Sequence, residues 1–481
     1  MWYEKDTTKI AKHIGSAKNE DELKILRSAA KQYIRENEPQ RSFFDEPTDS
    51  DLIVSFKRIE ATAASHCFAR DVFLQLAKQC NLDAFDALYI DLAIMRLIEP
   101  CSKLRSLELI DRYFNISYTR YVYECLPELL KKQSCIEEAA IKTARSFDST
   151  FTLLLYDVTT LYFETHKADD DLQARGFSKD DKSKQPQIVI GLLVTRQGFP
   201  LIHEVFKGNT FEGHTMLSVV KNFQIKYATE KPIIIADAAM LSQENRNSLE
   251  KEGYQYIVGA RLSNAKSSFL KIVSDKLTKK DGSTLRVSYP DENYDVICAY
   301  SEARYKKDNR EMQKQIEKAK ALIARKEAGR RAKFIKKENA SYLFDEVLKQ
   351  KTELLLGIKG YCTNIPKNIL SDEKIVLHYH SLWNVEQVFR MSKSDLRARP
   401  IFHHSHDSIR AHVLICFMAL MIGKLIEIKT GHSLRRVRDL LWQVQEIHLR
   451  DPVSGQERTA LTPMPDGLEQ ILDALGVKNT Y

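Results

Sequence analysis

Cysteine pairs with metal-ligand or redox spacing are missing from this 481-residue chain. Its eight cysteines (Cys67, Cys80, Cys101, Cys125, Cys135, Cys298, Cys362 and Cys416) are scattered, with no CxxC among them. That pattern argues against a cysteine-held metal and fits reduced, structural thiols in a cytosolic protein. The opening MWYEKDTTKI has no apolar core of a secretory signal, so no export is expected. Long apolar runs are missing too. The most apolar one, Val413 to Ile422, is followed by Lys424 and is too short for a bilayer, so no membrane insertion is expected.

What is present is a soluble globular composition, 43% hydrophobic and 29% charged, with a net charge of +8. The length suggests two or three domains. The mild excess of base permits nucleic-acid binding without requiring it. Residues 1–148 show only helical periodicity. Within them SKLRSLELIDRYFNISYTRYVYECLPELL reads as two helices joined at Asn115-Ile116-Ser117, the second opening with Thr119, Arg120, Tyr121 and Tyr123. Those residues suit phosphate and base contacts at a helix start. A DNA-binding helical region is one reading and a structural bundle the other.

The pattern changes at Phe151. FTLLLYDVTT reads as a buried strand with Asp157 near its end, and QIVIGLLVTRQGFPLIHEVFKGNT as two strands joined at Arg196-Gln197-Gly198. A helix, the strand PIIIAD ending in Asp237, a second helix and the strand YQYIVGA follow. This is an α/β fold with a mixed sheet covered by helices. The ends of such strands are where α/β sheets place their chemistry, although a lone Asp there is ordinarily a cap or turn former. Residues 263–376 differ: strand-like alternation at Thr284–Tyr300, then a charged helical stretch, Ala303–Ala340, with 14 Lys and Arg against five Asp and Glu. Its net +9 exceeds the charge of the whole chain, which suits contact with a polyanion as well as a solvated helix. Strands are expected again at Glu353–Ile358 and Lys374–Leu377.

Without Gly or Pro before Pro400, HYHSLWNVEQVFRMSKSDLRARP from His378 can run as one helix of about six turns. On that wheel Tyr379, Glu386 and Lys393 fall within about 20° of one line, with Arg390 beside them. Leu382, Val385, Phe389 and Leu396 form an apolar stripe. A core-packed helix thus carries one acid on its edge. Beyond it come a buried helix from about Ser405, histidines 403, 404, 406 and 412 without HxxxH-type metal spacing, a helix at Ser433–Glu446, and a loop at Pro452–Gln456. Asp157, Asp237 and Glu386 together suit two hard divalent cations, Mg²⁺ or Mn²⁺. Such a pair activates a water or 3′-hydroxyl and stabilises the leaving oxygen in phosphodiester transfer. Arg390 and Lys393 would hold phosphates.

YDVTTLYFE, the hairpin GLLVTRQGFPLIHEVFKGNT, PIIIADAAMLS and YHSLWNVEQVFRMSKSDLRARPIFH resemble the DDE transposases of bacterial insertion sequences. The resemblance covers about residues 150 to 425. The matching subgroup carries Tyr, two residues, Arg, three residues, Glu, six residues, Lys. Tyr379, Glu386 and Lys393 keep that spacing, and Leu382 replaces the Arg. The resemblance implies an RNase H-like fold in two parts, residues 149–262 and 377–430. A basic, β-containing insertion at 263–376 separates them, a DNA-binding helical region at 1–148 precedes them, and a helical region at 431–481 follows. It also implies Asp157, Asp237 and Glu386 as catalytic metal ligands for Mg²⁺, with Mn²⁺ tolerated. Tyr379, Arg390, Lys393, Arg397 and Arg399 would contact DNA. The implied partners are double-stranded DNA, as terminal inverted repeats and as target, and a second copy in a homodimer on DNA. No ATP or membrane is implied, and the setting is a bacterial, DNA-associated cytoplasmic one. The alternatives are an RNase H-like nuclease without strand transfer and an inactive DNA-binding relic.

Overall fold

All nine residues of one strand, Gln187–Thr195, are buried. Only a strand covered on both faces can carry the unbroken apolar run IVIGLLV. The computed structural model describes residues 2–4, 7–9, 12–37, 60–119, 121–165, 168–169, 171–176, 185–211, 213, 215–227, 230–238, 242–290, 292–325, 332–338, 341–450 and 457–478. Two compact units divide the chain: residues 1–76, 102–119 and 429–481 form one, and residues 77–101 and 120–428 the other.

The larger unit holds an eight-stranded mixed sheet. Its strands are β1 (Leu153–Tyr162), β2 (Gln187–Thr195), β3 (Pro200–Lys207), β4 (Ile233–Ala236), β5 (Gln255–Ala260), β6 (Thr284–Ser288), β7 (Asp295–Tyr300) and β8 (Ile358–Thr363), in the spatial order β3-β2-β1-β4-β5-β8-β7-β6. The pairs β1–β4 and β4–β5 are parallel and the rest antiparallel. Helices α1 (Met216–Tyr227), α2 (Gln243–Lys251) and α3 (Ser267–Lys276) follow β3, β4 and β5. Later come α4 (Glu302–Ala324), α5 (Asp372–His380), α6 (Trp383–Arg390) and α7 (His406–Thr430).

Alternation along β1 sends successive side chains to opposite faces. Leu161 and Phe163 join Ile188 and Ile190 in packing on Ile409, Val413 and Cys416 of α7. From the other face Tyr156 donates to Thr215 Oγ1 at 2.8 Å, just before α1. Among the described residues α7 is long and apolar enough to cross a membrane by length and composition, yet 89% of that stretch is buried inside the protein. Its Lys424 is buried and paired with Glu427 at 2.8 Å. It is a core helix.

The expected insertion, residues 263–376, supplies β6, β7 and β8 to this same sheet. Among the described residues its charged stretch is helical along α4. A two-stranded hairpin, Ile335–Glu338 with Ser341–Phe344, follows. Met312, Ile316 and Ala319 of α4 close on Phe334 and Leu356 as a small separate core. The strand expected at Glu353–Ile358 begins at Ile358, and Lys374–Leu377 is helical, because the Ser371 side chain accepts from Lys374 N and starts α5. Asp157 is not near the end of its strand, which runs five residues further.

In the smaller unit, the expectations of all-helical ends fail. EATAAS at Glu60–Ser65 pairs with Glu446–Arg450, which pairs in turn with Glu457–Leu461. None of these segments announces itself by apolar alternation; each is a strand because its partner supplies the hydrogen bonds. The helix expected to reach Glu446 stops at Leu441. Trp442 stacks on His66 at 3.8 Å and meets Tyr113 edge-on at 4.9 Å. The two helices read as a helix-turn-helix, Lys103–Phe114 and Val122–Leu130, belong to different units. Arg120 and the Pro452–Gln456 loop lie outside the described residues.

His203 on β3 is 5% exposed, lies 4.7 Å from the Phe417 ring, and has no hydrogen-bond partner at Nδ1 among the described residues. Burial pushes its pKa down to about 4. The unfolded chain therefore binds a proton there between about pH 6.5 and 4 that the folded protein does not, and stability falls as pH drops through that window. His203→Phe should flatten this acid limb in denaturant titrations at pH 7, 6, 5 and 4; an unchanged slope would show that the histidine does not titrate on unfolding.

Candidate active site

Strand register brings the first two predicted acids together. The parallel ladder pairs Leu153 with Ile233, Leu154 with Ile234 and Leu155 with Ile235. Asp157 and Asp237 each lie two residues beyond the last pair, so continuing the register brings them level, on one face of strands that are spaced by about 4.8 Å. The row continues. Ile235 pairs with Ile257, which puts Gly259 level with Asp237, and Gly259 pairs with Tyr361. Asp157, Asp237, Gly259 and Tyr361 thus cross four strands in line. Asp157 is half-buried and Asp237, just after β4, is exposed.

Glu386 arrives on α6, which packs over β1. The single helix expected from His378 to Pro400 is instead three pieces. Helix α5 begins earlier, at Asp372, where Arg286 of β6 bonds Asp372 at 2.7 Å and fixes the helix to the sheet. Ser381 and Leu382 make a tight turn with bonds three residues back, Asn384 to Ser381 at 2.8 Å and Val385 to Leu382 at 3.2 Å. After α6 a π-helical turn, Met391–Asp395, closes with Leu396 N on Met391 O at 3.0 Å. Such turns recur at functional sites. Tight turn and wide turn shift the wheel in opposite senses, so the straight line through Tyr379, Glu386 and Lys393 is broken at both ends.

Two contacts seat α6. Leu382 is 5% exposed, so the position at which the resemblance led one to expect Arg is a core residue here. Asn384 donates through Nδ2 to Arg196 O at 2.7 Å, in the β2–β3 turn that Gly198 closes at φ 83°. Val385, Val388 and Phe389 are buried, and Glu386 is exposed.

Tyr379, expected among the DNA-contacting residues, is buried and donates its hydroxyl to Asp237 Oδ1 at 3.2 Å. Asp237 Oδ1 also accepts from Ala238 N at 2.7 Å. Burial, then the charge and hydrogen bond of Asp237, hold the Tyr379 hydroxyl well above the usual tyrosine range. Gly259 makes this contact possible, since a Cβ there would stand 2.7 Å from Tyr379 Oη.

Of the other predicted contacts, Arg390 and Arg397 are exposed, Lys393 lies half-buried in the π turn, and the Arg399 guanidinium sits 5.5 Å from the Tyr162 ring centre. His412 is a core residue, bonded to Ala398 O at 3.0 Å and to Arg96 at 3.3 Å, and His406 pairs with Asp169 at 2.7 Å.

A family model described as a transposase DDE domain matches residues 148–422. The chain belongs to that family. Enzymes of this kind are metal-dependent DNA transposases, and the matched span takes in Asp157, Asp237 and Glu386. Among solved structures the chain is similar to the cryo-EM structure of a piggyBac transposase synaptic complex with hairpin DNA, at 9% identity over 79% of this chain and 80% of that one, with a TM-score of 0.39. No curated protein matches it.

The transposase's donor set suits the hard cation that the family implies, because all three acids offer oxygen and two stand side by side. Among the described residues, however, no three His, Cys, Asp or Glu side chains converge as a closed metal-holding group.

If Gly259 exists to admit Tyr379, Gly259→Ala should destabilise the protein by about 1–3 kcal/mol through overpacking, and by clearly less in a Tyr379→Phe background, where the crowded hydroxyl is gone. A double-mutant denaturation cycle measures this. Equal cost in both backgrounds would remove the link.

Proposed function

We propose that this transposase cleaves DNA at the ends of a bacterial insertion sequence and joins the freed 3′-hydroxyl to target DNA. Asp157, Asp237 and Glu386 are the catalytic carboxylates in this reading. The observation that carries it is the register of β1 on β4, which sets Asp157 and Asp237 level on one face. Mg²⁺, or Mn²⁺ in its place, would be held by these carboxylates and would supply an activated hydroxyl and a stabilised leaving oxygen.

The chain's own groups do the rest. Tyr379 orients Asp237 by its hydroxyl bond to Oδ1, leaving Oδ2 available to a cation. Helix α6 carries Glu386 over β1 on a seat fixed by Leu382 and Asn384. Arg390, Lys393, Arg397 and Arg399 follow within the same connected stretch and bind DNA phosphates, Arg and Lys being the side chains suited to that work. The basic segment around α4 adds a sequence-independent grip on double-stranded DNA. The protein acts as a homodimer across two inverted-repeat ends and needs no ATP, in the bacterial cytoplasm.

With purified protein and cognate ends in Mg²⁺, strand transfer should fall by orders of magnitude to background in Asp157→Asn and in Asp237→Asn, while end binding in a gel-shift assay persists. Full activity of Asp237→Asn would overturn the assignment. End cleavage by the wild type without joining would make it a nuclease instead.

A further inference from the structure

A lysine that the signature does not include stands in the candidate site. Lys359 lies on β8, two residues before Tyr361 and on the same face as the acid row. Its ammonium is 4.5 Å from the Tyr379 ring centre and 5.6 Å from that of Tyr361, and the two rings meet at 4.9 Å. Among the described residues it makes no ion pair, so tyrosine rings hold the charge in place. Lys359, Tyr379 and Asp237 line one cavity of about 420 Å³, together with Arg261 and Arg304. Arg304 is exposed and shares its charge with Asp308 at 3.4 Å. Arg261 is exposed too, and Lys359 is the half-buried cation of this cavity that the strand register sets on the face of the acid row.

Resting on the reading above, the geometry points to Lys359 as a phosphate-binding residue of the active site, gripping the DNA backbone phosphate at or next to the cut. A phosphodiester brought to Asp237 adds negative charge to a face already carrying carboxylates. A cation fixed beside that face before the substrate arrives offsets this charge without reorganising, and its effect is greatest where the phosphate charge builds up. Burial, with the nearby Arg304, lowers the pKa of Lys359, and Asp237 and Glu386 act against that shift. The two carboxylates and the ammonium therefore sense one another. The ring contacts direct the ammonium as cation–π contacts do, and the aliphatic stem covers their faces.

Lys359→Met keeps the stem and removes the charge; Lys359→Arg keeps the charge. In Mg²⁺, Lys359→Met should slow end cleavage about 100-fold with an unchanged melting temperature and end binding weakened far less than the rate, and Lys359→Arg should recover most of the rate. DNA ends carrying single neutral methylphosphonates at successive positions around the cut then locate the contact. The Lys359→Met penalty should vanish at one of them, because neither protein can gain from a charge that is absent. A penalty that persists at every position, or an equal loss in Lys359→Arg, overturns the proposal. Wild-type cleavage by Lys359→Met does the same while Asp237→Asn remains dead, which separates its failure from that of the acid assignment.

Discussion

Three backbone pairs between β1 and β4 hold the account together. They are the short parallel ladder by which Asp157 and Asp237, 80 residues apart in the chain, come to the same height on one face. A slip of one residue in that register would turn one aspartate to the opposite face, where α1 packs, and leave the other alone. The apolar run LLLY against IIIA fixes the register by burying residues on both faces of the sheet, so the core and the chemistry are specified by the same contacts.

Around this pair the protein uses aromatic and small residues where the charged signature alone would lead one to look for bases. Gly259 and Tyr361 extend the acid row across two more strands. The missing side chain at Gly259 admits the Tyr379 hydroxyl to Asp237, and Tyr361 closes on the Tyr379 ring. Lys359 rests on both rings. Helix α6 is seated by a buried leucine and by an asparagine that reaches a hairpin turn. Arginine in place of Leu382 would have to leave the core or carry its charge into it.

The strands FTLLLYDVTT, QIVIGLLVT and PIIIAD were legible because their apolar runs are long and bounded by turn residues, and with them both aspartates. The helix carrying Glu386 was legible in its stripe but not in its breaks. Ser381 and Leu382 have ordinary helix propensity, and the turn there follows from seating Leu382 and Asn384, which only the folded partners define. EATAAS and Glu446–Arg450 were hidden because each depends on a partner nearly 400 residues away. Lys359 and Gly259 were invisible because the strand was expected at Glu353–Ile358, ahead of IKGYCT, and the pairing of β8 with β5 exists only in the fold. The basic stretch was recognisable as charge, while the apolar stripe that gives it its own core is narrow, three residues on α4.

The claim that Asp157 and Asp237 form one cation-binding pair has a direct test. Crystals of the protein with its DNA ends, grown in Mn²⁺, can be measured at the manganese absorption edge. An anomalous peak at the Asp157 and Asp237 carboxylates is the predicted result, and its loss in Asp157→Asn would confirm the pairing. Manganese bound elsewhere, with the two aspartates facing other partners, would contradict it.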